Sequence, residues 1–195
     1  MAPSGVNHES PLGFLTVVED QKHGLFGGYL ILNRAGRPLE FHCTAPVRPN
    51  RAQEILYGPT LRPYLYGEQI GRTLLEQGKH PAEVILTDCE PMLEVGEFVP
   101  APVVLVGAQD TQTASVPLQQ TPSDGRKWRI DGSQSPKPNL RSFVVGGQSL
   151  ALRCEGTHDQ SSVVQKLEAT AMTLDLAEPF ERIRAAIDEA RRGGQ

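Results

Sequence analysis

The sequence predicts an α/β protein built on a mixed sheet. Three observations carry this. Short β-branched runs alternate with tight turns in the N-terminal part, as in an antiparallel meander. Further on, two short, nearly continuous apolar runs sit between stretches of helical periodicity, the pattern of strands buried on both faces. The last segment carries apolar residues along one face of an amphipathic helix.

In chain order, residues 13–19 (GFLTVVE) read as a strand, 20–24 as a turn, and 25–33 (LFGGYLILN) as a second strand. The turn at Arg34 to Arg37 leads into a third strand, 38–45. Asn50 is a natural helix cap, and Ala52, Ile55 and Leu56 follow at helical spacing. Gly58, Pro59 and Pro63 interrupt the pattern, which predicts a kinked or divided helix ending at Gly78. Residues 83–87 (EVILT) and 102–106 (PVVLV) read as buried strands, with a short helix expected over 91–99.

Residues 109–140 are rich in Gln, Thr, Ser, Pro and Gly and read as a linker or long loop. The rest of the chain divides into a flexible tail (1–11), a core domain (12–108) and a C-terminal appendage (141–195). That appendage holds a hairpin across Gly146-Gly147, a helix over 160–169 and the final helix. In the last helix Phe180, Ile183, Ile187 and Ala190 share a face, Pro179 suits the first turn, and Arg191-Arg192 favour its negative end.

Composition narrows the function classes. With 38% hydrophobic and 22% charged residues, the 195-residue chain can bury a core without covalent staples. Its formal net charge of -4 argues against non-specific coating of nucleic acid. Three separated cysteines, with no CxxC pair and no leader-like N-terminus, predict a reducing, cytoplasmic setting. No apolar run is long enough to span a bilayer, so no membrane partner is expected.

The order β-β-β-α-β-α-β resembles the ribonuclease H-like fold over the first half of the chain. Three strings carry the likeness: Gly27 to Leu32 resembles the glycine-rich start of its second strand, Asn50 to Glu54 the opening of its first helix, and Val84 to Asp88 its fourth strand. The resemblance implies phosphodiester cleavage of nucleic acid with Mg²⁺ or Mn²⁺ held by carboxylates. The acids it implies are Glu19 or Asp20, Glu54 and Asp88 as catalytic groups, with Glu19, Glu54 and Asp88 as metal ligands; Asp110 lies after the fifth strand.

The sequence departs from the family pattern in three places. The first-strand acid belongs inside the strand, whereas Glu19 and Asp20 stand at its end. The helical glutamate position holds Gln53, and a one-residue offset turns Glu54 by about 100°. The glycine and proline breaks do not suit one long helix. A degenerate, non-cleaving member would carry the same sequence, and each acid has an ordinary role as a turn or cap residue.

Other constellations point elsewhere. Cys43, Cys89, Cys154 and His158 are a conceivable zinc set, or small buried thiols. Cys89 could act as a nucleophile if His23, His42 or His80 lay beside it. Arg126 to Arg129, with Trp128, could contact nucleic acid or form a docked strand. Gly193-Gly194-Gln195 resembles the C-terminus of prokaryotic ubiquitin-like protein, which would imply conjugation to lysine, though a helix stop explains it equally. A non-catalytic module that binds a partner protein is the further alternative; it predicts scattered carboxylates and an exposed apolar patch.

Overall fold

The computed structural model describes residues 11–107, 138–156 and 158–193. Seven strands form one mixed sheet in the order β3-β2-β1-β4-β5-β7-β6. They are β1 (Leu12–Asp20), β2 (Gly24–Leu32), β3 (Pro38–Cys43), β4 (Val84–Thr87), β5 (Val103–Val106), β6 (Leu140–Val145) and β7 (Gln148–Arg153). The first three are antiparallel, β4 runs parallel to β1, and β5 parallel to β4. This is the α/β mixed-sheet class read from the sequence.

The helical part after β3 is divided, as its glycines and prolines dictate. Helix α1 (Arg51–Tyr57) starts at Asn50, whose side chain accepts from the Gln53 amide while the Gln53 side chain accepts from the Asn50 amide. Gly58 (φ 49°) and Pro59 break it. The chain then continues through α2 (Leu61–Pro63), a π-helical stretch (Tyr64–Arg72) and α3 (Thr73–Gln77). The helix expected over 91–99 is a 3₁₀ helix, Glu90–Glu97. Its backbone lies so close to the π-helical stretch that a Cβ on Gly67 would sit 2.5 Å from the Glu94 Cβ, and one on Gly71 2.7 Å from the Met92 sulfur.

The sheet is covered on both faces. On one side Leu15, Val17, Tyr29, Ile31 and Ile85 pack against Leu65, Ile70, Leu74 and Met92 of the helical stretches. On the other, Phe14, Leu30, Leu86 and Val104 pack against α4 (Gln160–Ala171) and α5 (Glu178–Gly193). That is why β1 is buried from Leu12 to Val17 without alternation. The adjacent glycines of β2 allow the close approach: a Cβ on Gly27 would collide with Ile70 on one face, and one on Gly28 with Ile183 of α5 on the other. The expected C-terminal appendage is built into the same sheet, since β7 pairs with β5 and α5 lies over β1 and β2. No helix among the described residues is long and apolar enough to cross a membrane.

Candidate functional site

The crevice at the carboxyl ends of two parallel strands is where open α/β sheets place ligands. Here it lies between β1 and β4. The register pairs Leu15 with Thr87, so Thr16 and Asp88 come next to each other. Thr16 is fully buried inside β1, and its hydroxyl donates to Asp88 Oδ1 at 2.6 Å. The other oxygen, Oδ2, accepts from Arg184 of α5, which also reaches Glu181 at 2.7 Å. Cys89 Sγ lies 3.4 Å from Asp88 Oδ1. Burial, reinforced by the Asp88 charge, pushes that thiol up to about 11.

The remaining expected acids stand apart. Alternation along β1 turns Glu19 and Asp20 to opposite faces of the sheet. On the helical side, Glu19 accepts from Tyr66 and Arg62; the Tyr66 hydrogen bond, then Arg62, lowers its pKa. Burial, then Glu19, pushes the Tyr66 hydroxyl up to about 12. On the α5 side, Asp20 accepts from the His23 and Lys22 amides, the His23 ring at 2.9 Å, and Arg191. The His23 amide contributes most, and Asp20 falls to about 2. Glu54 is exposed on α1 and pairs with Arg51 at 2.9 Å. Gln53, the residue before it, serves the helix cap.

Thus the expected set, Glu19 or Asp20 with Glu54 and Asp88, does not form a cluster. Among the described residues no group of three or more His, Cys, Asp or Glu side chains could hold a metal ion. The expected zinc set fails the same way: Cys43, Cys89 and Cys154 are free thiols on different elements. Cys89 as a nucleophile is corrected too. The three candidate histidines are engaged elsewhere, His23 with Asp20 and both His42 and His80 with Glu40. Burial keeps the thiol protonated, the opposite of what a nucleophile needs. Asp110, Arg126 to Arg129, Gly194 and Gln195 lie outside the described residues.

A titratable cluster missed in the sequence sits on the outermost strand. Glu40 of β3 accepts from His42 Nε2 at 2.5 Å, His80 Nδ1 at 3.0 Å and the Lys79 amide at 2.9 Å. These bonds, His80 first and His42 next, lower Glu40 to about 2. Only the i, i+2 spacing of Glu40 and His42 hinted at it, since that spacing puts both on one face of a strand.

No protein-family model matches the chain, and no curated protein matches it. Among solved structures, it is similar to Endonuclease V of Ciona intestinalis, crystallised with a 23mer DNA containing an inosine followed by a ribo-adenosine. The two are 10% identical, the match covers 84% of this chain and 78% of that one, and the TM-score is 0.46.

Proposed function

We propose that the chain is a non-cleaving member of the ribonuclease H-like class that works by binding a partner protein. The observation that carries this reading is the state of Asp88. Both of its oxygens are engaged, one by Thr16 and one by Arg184. Two-metal phosphodiester cleavage needs carboxylates free to bridge ions about 3.5–4 Å apart. The neighbour of Asp88 inside β1 is a threonine rather than an acid, and Glu19 and Asp20 are each paired with an arginine on separate faces. A binding role is favoured by the exposed apolar side chains Ile55 and Leu56 of α1 and Leu39 and Phe41 of β3.

The test compares thermal melting with and without millimolar Mg²⁺ or Mn²⁺, alongside incubation with single-stranded and duplex DNA and RNA. A ligand at a hundred times its Kd would stabilise by about 2.7 kcal/mol, which melting resolves easily. The expected result is an unchanged melting temperature and no products. Metal-dependent products that vanish in Asp88→Asn would overturn the reading.

A further inference from the structure

We propose that the uncovered face of β3, with the cavity at its end, is a docking trench for an amphipathic helix whose terminal turn is acidic, supplied by a partner protein. This rests on the binding reading above and names its site and partner chemistry.

Register fixes which side of β3 is involved. Phe41 pairs with Leu30 and Cys43 with Gly28, and those β2 residues face α5. Phe41 and Cys43 therefore project on the α5 side, and Leu39, exposed like them, stands at the register shift opposite Ile31 and Leu32. Helix α5 packs mainly over β1 and β2, and α4 over β4 and β6, so among the described residues neither lies over β3 to the same extent, while α3 meets β3. Leu39 and Phe41 are each 38% exposed. The strip ends in a cavity of about 710 Å³, lined among others by Phe26, Cys43, Ile187, Asp188, Arg191 and Arg192. Six strand residues span about 20 Å. That length suits three to four turns of helix, and a helix about 10 Å wide fits beside α5.

Charge selects the occupant. In a chain of net charge -4, Arg191 and Arg192 line the cavity beside Asp188, and Arg48 reaches the backbone of His23, another lining residue. Arg191 is engaged there by Asp20, by Asp188 at 3.3 Å and by the Phe26 ring at 5.0 Å. Among the described residues Lys22, Arg48 and Arg192 have no carboxylate partner; Arg48 donates only to the His23 carbonyl, at 2.8 Å. An occupant with apolar groups along its length and carboxylates at one end answers both features. A nucleic-acid strand would need cations along the whole trench. An added edge strand would leave Phe41 uncovered, because it projects from the face rather than the edge.

Cys43 gives a local readout because it is exposed and lines the cavity. Two synthetic amphipathic peptides with the same leucine stripe serve as probes, one ending in glutamates and one in lysines. The rate of Cys43 alkylation by N-ethylmaleimide is followed by peptide mapping on the full chain, with Cys89 and Cys154 as internal references. The expected result is at least a ten-fold slowing of Cys43 by the acid-ended peptide alone. The exposed-site variant Arg48→Glu/Arg192→Glu should abolish that slowing while its melting temperature stays unchanged. No slowing, or equal slowing by both peptides, would overturn the trench. Slowing together with metal-dependent cleavage would leave the trench standing and remove the non-cleaving reading. No slowing and no cleavage would do the reverse.

Discussion

The carboxyl-end crevice and the outer face of β3 handle their side chains in opposite ways. At the crevice the Asp88 carboxylate is met by a hydroxyl and a guanidinium, and α5 closes over it. On β3, Leu39 and Phe41 are left partly facing water. The difference teaches where this chain keeps capacity to act. Groups that are already satisfied inside are structural, whereas unsatisfied groups at a surface are available to something else.

The largest effect should come from loosening the helix that closes the crevice. Phe180 of α5 is 1% exposed and packs edge-on to Phe14, with ring centroids 5.6 Å apart. Phe180→Ala should cost about 3–5 kcal/mol, measured by urea unfolding. A smaller loss would mean that α5 is only loosely seated.

Removing the ion pair alone should cost less. Arg184→Ala strands an Asp88 side chain that is 19% exposed, with Thr16 and the Cys89 thiol as its remaining partners. Because the guanidinium itself is 37% exposed, solvent screens the pair, and the expected loss is about 1–2 kcal/mol by the same measurement. If the melting temperature were unaffected, the crevice would be less closed than described.

The smallest effect is spread over acid pH. Asp20 and Glu40 are both lowered to about 2 from ordinary values of 3.8 and 4.5. A depressed carboxyl stabilises the fold above its unfolded value, and that contribution fades as pH falls through about 4 towards 2. Melting temperature should therefore decline across that window. Glu40→Gln should flatten the decline without removing it, because Asp20 still titrates against Arg191. An unchanged slope would dissociate the β3 cluster from stability.

Much of the fold was legible because it is written in local pattern. The β-branched runs gave the strands within a residue or two, Asn50 announced its helix, and Phe180, Ile183 and Ile187 marked the buried face of α5. The π-helical stretch was not legible, since it depends on Gly67 and Gly71 meeting the 3₁₀ helix, a tertiary contact. The site was harder still. Arg184 and Asp88 are 96 residues apart, and Arg191 and Asp20 are 171 apart, so no local signal joins them. Reading acids by strand-end position found Asp88 but could not say that an arginine would occupy it.

The order in which the elements are made has a consequence for synthesis. Strand β1 comes first among the described elements and α5 last, yet α5 covers β1 and β2. A growing chain therefore holds Phe14, Leu30 and Leu32 without their α5 cover until that helix has left the ribosome. Such late, long-range closure slows folding and lengthens exposure to aggregation. This predicts that release of a nascent chain before α5 emerges yields a species that depends on chaperones.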